Sequence, residues 1–300
     1  MPPPRPSPGI PGEGVRCSRF ARPAPSGLIA CVTEHSIDDL DVADRSAGKR
    51  SLWALRALGR EGLPREFVID GVTYRRTQTI KHDFFAATGF YASDAGRKVV
   101  LKMGRAEKFL GWPLDWLGKW LCDREVRFYT KLSDLPNVPA VVGRVGKTGF
   151  VHEYVEGHPL SKDRPVPDRF FDRLFELMAE LHRRRIAYVD TNKPENILLG
   201  DDGLPHLIDF QISYDLHDLD DWPWSRWLLR RFQREDLYHL LKHKKKLRRD
   251  EMTANEMEQS ERRSWLINLH RFISKPYFLV RRKAYKKLKQ SGRLLPEGSK

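Results

Sequence analysis

The stretch that decides the fold is YVDTNKPENILL at residues 188–199, followed by LIDF at residues 207–210. Its two short apolar runs are typical of strands, and the Gly-Asp-Asp-Gly sequence at residues 200–203 is typical of a hairpin turn between them. Such a hairpin would hold Asn196 and Asp209 at one end. Two neighbouring oxygen ligands suit a hard cation such as Mg²⁺ bound to a phosphate, so the stretch predicts a phosphate and metal site.

The loop before the first of these strands carries Asp190 and Lys193, where both can be presented to a substrate. An aspartate, then Lys-x-x-Asn, then Asp-Phe resembles the catalytic loop and metal-binding segment of the protein-kinase-like superfamily. The resemblance implies that Asn196 and Asp209 bind Mg²⁺ and that Lys193 neutralises the γ-phosphate of ATP. It also implies that Asp190 orients and deprotonates an acceptor hydroxyl.

The stretch departs from the family pattern at three places. Tyr188 and Val189 replace the usual His-Arg, one extra residue separates Asp190 from Lys193, and Gln211 replaces the glycine after Asp-Phe. Protein kinases also carry an activation segment that ends in Ala-Pro-Glu, and this sequence has no Ala-Pro-Glu after the Asp-Phe pair. We therefore expect a fixed metal site and an acceptor that is not a folded protein.

Lys102 ends the strand-like run Val-Val-Leu-Lys at residues 99–102. In the kinase-like interpretation it is the third-strand lysine, which holds the α- and β-phosphates. Residues 106–132 predict one long helix or two abutting helices, with Glu125 on the apolar face. A carboxylate on an apolar face needs a partner, and Lys102 is the natural one. The alternative is that Glu125 lies at the edge of this face and pairs with Arg124 or with solvent.

The other nucleotide contacts follow from the resemblance alone. The phosphate-covering loop should lie at residues 83–91, where Gly89 is the only glycine. The run at residues 150–160 resembles the hinge between the two lobes, where the nucleotide base bonds to backbone groups. We take the backbone of Glu153 and Val155 as these contacts.

The resemblance also predicts the domain organisation. We expect an α+β, bilobal protein-kinase-like fold, with an antiparallel β-sheet N-lobe at residues 49–155. A mostly helical C-lobe with basic, aromatic C-terminal helices should follow at residues 156–300. Residues 1–27 contain eight prolines and four glycines. Such a composition cannot bury enough apolar surface to fold, so we predict a disordered Pro-rich tail at residues 1–35.

The charge is distributed unevenly along the chain. Residues 222–300 contain 22 Lys and Arg against 8 Asp and Glu, so this segment carries the whole formal net charge of +14. A basic face usually has an anionic partner, although it can also be a solvated helical face. Aromatic residues beside the basic clusters favour peripheral contact with an anionic membrane surface. Nucleic acid is the less favoured partner, because the sequence contains no RNA-binding motif.

Three scattered cysteines and the lack of an apolar run of about 20 residues favour a cytoplasmic protein, with possible contact at the inner face of the membrane. Three tryptophans, Trp112, Trp116 and Trp120, are spaced by four. We expect them to pack in the core, and the alternative is a belt at a membrane interface.

Within the superfamily the sequence most resembles bacterial lipopolysaccharide core kinases, which phosphorylate Kdo or heptose. This resemblance implies an ATP- and Mg²⁺-dependent phosphotransferase that acts on the hydroxyl of a sugar or glycolipid. Two alternatives stay open at this point: an atypical serine/threonine protein kinase, and a non-catalytic kinase-like binding module.

Overall fold

The structure, a computed structural model, describes residues 56–108, 112–218 and 221–261, together with the backbone of residues 29–30. The predictions for residues 262–300 and for the rest of the tail at residues 1–35 lie outside these ranges. Within that tail, residues 29–30 form a two-residue strand, which the expectation of a disordered tail did not include.

An antiparallel sheet dominates the first part of the chain. Its strands are β1 (Ile29–Ala30), β2 (Glu66–Ile69), β3 (Val72–His82), β4 (Ala86–Ser93), β5 (Lys98–Gly104), β6 (Val141–Val145) and β7 (Gly149–Glu153). They are ordered β1-β6-β7-β5-β4-β3-β2. All neighbours pair antiparallel except β1, which is parallel to β6. The predicted antiparallel sheet is therefore confirmed.

The first hairpin shows how the sequence sets the register of this sheet. Asp70 and Gly71 join β2 to β3 with φ values of 50° and 76°. Two consecutive left-handed residues make the tight turn whose twist matches that of the strands, and Asp-Gly is a favoured sequence for it. One face of the sheet then buries a cluster that includes Phe67, Tyr74, Tyr91, Val99, Leu101 and Val151.

Helix α1 (Asp115–Lys131) packs against β5, β6 and β7. Gly118 permits this packing, because a Cβ there would lie 1.9 Å from the backbone oxygen of Arg105. The buried face of the helix is formed by Gly118, Cys122, Glu125, Phe128 and Tyr129. The expectation that the three nearby tryptophans pack in the core was wrong. They are exposed, because the face that carries the glycine is the one that meets the sheet.

The second part of the chain is mostly helical. Its helices are α2 (Phe170–Arg183), α3 (Pro223–Leu247) and α4 (Ala254–Glu261), and its short strands are β8 (Gly157–Pro159), β9 (Ile186–Ala187), β10 (Ile197–Gly200), β11 (Pro205–Leu207) and β12 (Tyr214–Asp215). The predicted hairpin at residues 197–207 is present as β10 and β11, and β8 pairs with its other side. No helix in the described part of the chain is long and apolar enough to span a bilayer.

Candidate active site

Lys102 joins the two lobes through two ion pairs. Its Nζ donates to Glu125 Oε1 at 2.8 Å and to Asp209 Oδ1 at 2.8 Å. The pair expected from the apolar face of the helix therefore forms. Arg124, the alternative partner, donates instead to the backbone oxygen of Ser213. Strand β5, helix α1 and the Asp-Phe segment thus meet at one lysine.

Burial and mutual attraction set the charges of this cluster. Burial raises the pKa of Glu125 to about 7, although Lys102 acts in the opposite direction. Burial would also raise the pKa of Asp209, but the charge and hydrogen bond of Lys102 outweigh it and lower that pKa to about 2. Burial would lower the pKa of Lys102, yet the two carboxylates hold it above its ordinary value. Lys102 and Asp209 are therefore both charged at neutral pH.

The catalytic-loop residues converge on a single carboxylate. Asp190 Oδ2 accepts hydrogen bonds from Lys193 Nζ at 2.5 Å and from Asn196 Nδ2 at 2.8 Å. A turn absorbs the extra residue, since the backbone N–H of Lys193 donates to the backbone oxygen of Asp190 at 3.2 Å. Burial raises the pKa of Asp190, and Lys193 opposes this shift. The longer spacing therefore still brings three of the predicted residues together.

Asp236 of helix α3 holds this loop in place. Its Oδ2 accepts the backbone N–H of Tyr188 at 2.8 Å, and its Oδ1 accepts that of Val189 at 2.8 Å. Val189 has a φ of 71°, which is strained for a β-branched residue and persists only where the surroundings enforce it. Thr191 Oγ1 also donates to Asp236, at 3.2 Å. Asp236 therefore binds the backbone before Asp190 and the side chain of the residue after it.

The sequence analysis missed Asp236, although the sequence contains the signal that finds it. Leu229, Asp236 and Leu240 are spaced by seven and four residues and are all buried on helix α3. A carboxylate on such a face needs buried donors, which is the argument that identified Glu125. No sequence pattern pointed to the partners, because backbone N–H groups carry no residue signature.

The Asp-Phe segment is held by aromatic residues. Phe210 is fully buried, with its ring edge-on to Tyr129 and Tyr188 at centroid distances of 5.1 and 5.2 Å. The backbone N–H of Asp209 donates to the Tyr129 hydroxyl at 3.0 Å. The Tyr188 hydroxyl donates to the backbone oxygen of Ile208. Tyr188, which stands where the kinase-like pattern has histidine, therefore helps to hold Ile208, the residue before Asp209.

The residues present fit a divalent cation. Asn196 uses its amide nitrogen on Asp190, which leaves its carbonyl oxygen, and Asp209 meets Lys102 through Oδ1, which leaves Oδ2. Both atoms are hard oxygen donors of the kind Mg²⁺ takes, usually alongside phosphates and water. No group of three or more His, Cys, Asp or Glu in the described ranges could hold a metal by itself. The donor set therefore suits a metal shared with a nucleotide.

In the predicted hinge, the backbone groups of Glu153 already have hydrogen-bond partners within the protein. The N–H of Glu153 donates to the backbone oxygen of Ala140 at 2.9 Å, and the His152 Nδ1–H donates to the backbone oxygen of Glu153 at 2.8 Å. Burial lowers the pKa of His152 to about 4, so its ring is neutral. The Glu153 oxygen retains one lone pair for a nucleotide base. The roles of Glu153 and Val155 stay predictions.

The assignment of Gly89 to the phosphate-covering loop was wrong. Gly89 lies inside strand β4, paired with Thr79 and Leu101, and the connection from β3 to β4 is shorter than predicted. A Cβ at Gly89 would lie 2.8 Å from Leu63 Cδ1, within the buried cluster of the sheet. Since side chains alternate between faces along a strand, Gly89 points away from the face that carries Lys102. Its small size serves packing.

Lys102 joins the antiparallel sheet to the mostly helical lobe that follows it. The chain therefore has the bilobal arrangement that the resemblance to protein-kinase-like enzymes implied. Helix α1 supplies the glutamate, β5 supplies the lysine, and the β10–β11 hairpin presents Asn196 and Asp209 at one end.

No protein-family model and no curated protein matches this chain. A structure described as the Rio2 kinase-ADP/Mg2+-phosphoaspartate complex from Chaetomium thermophilum is 18% identical with a TM-score of 0.46, covering 60% of this chain and 58% of its own. The BubR1 kinase domain is 17% identical with a TM-score of 0.44, covering 61% of this chain and 64% of its own. The chain therefore spans less than two thirds of the length of these structures.

Proposed function

We propose that the chain is an ATP- and Mg²⁺-dependent kinase whose acceptor is a hydroxyl of an anionic sugar or glycolipid, of the lipopolysaccharide-core type. The observation that carries the proposal is the convergence of Lys193 and Asn196 on one carboxylate oxygen of Asp190. Lys102, which has two carboxylate partners, contacts Asp209 at the same end of the hairpin. Phosphoryl transfer requires positioning and charge neutralisation, and this set of groups provides both.

Each residue has one task in the proposed reaction. Lys102, oriented by Glu125, binds the α- and β-phosphates, and Lys193 compensates the charge of the γ-phosphate. Asp190 holds the acceptor hydroxyl and takes its proton as the new P–O bond forms and the bond to the ADP oxygen breaks. Asn196 and Asp209 would hold Mg²⁺, which would supply positive charge to offset that of the phosphates.

The short connection after the Asp-Phe pair supports a small acceptor. Only residues 210–222 separate Asp209 from helix α3, and within them β12 pairs with β9 beneath the catalytic loop. A protein kinase uses this part of the chain to build a platform for its peptide substrate. The connection here is short and part of it already pairs with β9, which favours a sugar over a protein.

Two lysines beside the catalytic loop support an anionic acceptor. His243 Nε2 donates to the backbone oxygen of Thr191 at 2.8 Å, one residue after Asp190. Burial lowers the pKa of His243, and the positive charges of Lys246 and Lys242 lower it further. Lys242 and Lys246 are one residue before and three residues after His243 on helix α3, so both lie within one helical turn of this contact, where they can attract a phosphate or carboxylate on the acceptor.

The acceptor class is tested by offering several acceptors to the purified full chain with Mg-ATP. The panel contains phosphorylated lipid-core oligosaccharide, its dephosphorylated form and a bacterial lysate, with products identified by mass spectrometry. We expect phosphate on a core sugar, with the phosphorylated acceptor preferred. Transfer to lysate proteins alone would instead support a protein kinase. ATP binding without any transfer would support a non-catalytic module.

The contribution of the two lysines is tested separately. Lys242→Ala with Lys246→Ala should raise the KM for the phosphorylated acceptor at least tenfold and leave the KM for ATP unchanged. The matched control is Lys147→Ala with Lys162→Ala, which removes two exposed lysines elsewhere. Equal acceptor KM values in both double variants would refute the anionic-acceptor part of the proposal.

A further inference from the structure

Six tryptophans in the described part of the chain are exposed on its surface. Their exposed fractions are 75% for Trp112, 62% for Trp116, 54% for Trp120, 59% for Trp222, 57% for Trp224 and 59% for Trp227. Indole is a large apolar ring that soluble domains normally bury for much of its area. Grouped apolar residues on a surface mark an interaction site.

The six residues form two sets, each near the start of one helix. Trp116 and Trp120 are four residues apart on α1, so they are neighbours on one helix face, and Trp112 precedes the helix, four residues before Trp116. Trp224 and Trp227 are three residues apart in the first turns of α3, and Trp222 is the N-cap residue of that helix. Each set therefore forms a short aromatic ridge.

Contacts join α1 to the segment that precedes α3. The Arg124 guanidinium lies 5.6 Å from the Trp120 ring centroid and donates to the backbone oxygen of Ser213. Arg127, also on α1, pairs with Asp218 at 2.8 Å. Both contacts are made with the segment that leads into α3. The residue before Ser213 is Ile212, an apolar residue that is itself exposed.

We call this surface the tryptophan band; its members are Trp112, Trp116, Trp120, Ile212, Trp222, Trp224 and Trp227. The helix that carries its second half is strongly basic, with eight Lys and Arg against two Asp and Glu. Arg230 is exposed within one helical turn of Trp227, and Arg226, which is also exposed, pairs with Asp221. An aromatic surface bordered by cations complements a surface that is apolar beneath and negatively charged above, which is the structure of an anionic lipid leaflet.

We propose that the tryptophan band docks the protein on an anionic membrane surface. Indole rings favour the headgroup zone, where the ring contacts acyl chains and the N–H remains hydrated. Nucleic acid is the weaker candidate, because base stacking uses aromatic rings within a basic groove and these rings stand on the outer sides of helices. Docking is independent of the proposed kinase activity, so either proposal can fail alone.

Docking through the tryptophan band would also place the membrane near the candidate active site. The opposite face of α1 carries Glu125, which pairs with Lys102. Ile212 follows Asp209 by three residues. A membrane that contacts the tryptophan band therefore touches both elements that border the candidate active site, and it brings a lipid-linked acceptor to the same side of the protein.

The test is vesicle binding by the full chain without nucleotide. Phosphatidylcholine vesicles with and without phosphatidylglycerol are titrated, and binding is followed by co-sedimentation and by tryptophan emission. We expect a blue-shifted emission and binding only with the anionic lipid, and quenching by lipids brominated near the headgroup. Trp116→Ala with Trp120→Ala, and separately Trp224→Ala with Trp227→Ala, should each raise the lipid concentration for half-maximal binding at least tenfold.

The control variant is Val72→Ala with Ile80→Ala, which removes two exposed apolar residues of strand β3 and should bind like the wild type. Equal binding by the tryptophan variants would assign the attraction to basic charge alone and overturn the proposal. Absence of binding by the wild type, or absence of quenching when it binds, would also overturn it. So would a dimer, or an RNA complex, that the same tryptophan substitutions abolish while lipid binding is unchanged.

Discussion

Replacement of Asp236 should loosen the catalytic loop more than any surface substitution in helix α3. The fully buried carboxylate accepts two backbone N–H groups at 2.8 Å each, from Tyr188 and Val189. A hydrogen bond to a charged group contributes about 1.5–3 kcal/mol, so Asp236→Ala should lower the free energy of unfolding by about 3–6 kcal/mol. Asp236→Asn keeps one acceptor oxygen and should cost roughly half of that.

Replacement of Asp236 should slow the transfer step and leave nucleotide binding nearly unchanged. Without Asp236 the strained backbone of Val189 can relax, and about 1–3 kcal/mol of strain at φ 71° favours that relaxation. Asp190, the next residue, then leaves its position. We expect Asp236→Asn to reduce kcat at least tenfold while the Kd for ATP stays within about twofold, since Lys102 and Asp209 do not contact Asp236.

The assay combines urea unfolding followed by circular dichroism with Mg-ATP turnover at a temperature where the variant is folded. Asp172→Asn is the control, because its ion pair with Arg169 is long, at 4.0 Å, and exposed. The control should change the free energy of unfolding by no more than about 0.5 kcal/mol. Wild-type stability in Asp236→Ala, or an Asp236→Asn effect confined to ATP affinity, would refute the reasoning.

Two further predictions concern the sheet and the ion-pair cluster. Gly89→Ala should destabilise the fold by about 1–3 kcal/mol, because its Cβ would lie 2.8 Å from Leu63 Cδ1. The Kd for ATP should stay unchanged. A loss of ATP affinity without a loss of stability would instead support a role for Gly89 in phosphate binding. Glu125 should titrate near pH 7 in a ¹³C NMR experiment on the free protein, and Lys102→Met should raise its pKa further, since a cation that stabilises the carboxylate is removed. Because the folded pKa of Glu125 is raised, its titration favours folding below the unfolded pKa, about 4.5, and this contribution is lost as the pH rises to about 7. A Glu125 pKa at or below 4.5 would contradict this account of the cluster.

The sequence predicted those features that side chains encode at short range. The hairpin turn at residues 200–203 follows from turn chemistry, and it is present. The Lys102–Glu125 pair followed from the cost of burying a lone carboxylate, and it is present as well. These inferences succeeded because each depended on one residue and its immediate requirement for a partner.

Other features depended on which face of a helix or strand packs against the rest of the protein. The periodicity of the sequence alone does not determine this. The spacing of Trp116 and Trp120 placed them on one helix face, but the face that packs is selected by Gly118 and its close approach to Arg105. The position of Gly89 inside a strand depended on the length of the preceding turn, which the sequence left open. Asp236 binds backbone groups, so no partner residue could be recognised.

We propose that Asp190 acts as the base in a site that binds Mg-ATP through other residues. The direct measurement compares the wild type and Asp190→Asn for ATP affinity by calorimetry and for single-turnover transfer to the best acceptor. Removal of a general base usually costs a factor of about 10²–10⁴ in rate. We predict such a loss in the transfer rate with a Kd for ATP within about threefold of the wild type. Equal transfer rates in the two proteins, or no Mg-dependent ATP binding by the wild type, would contradict the claim.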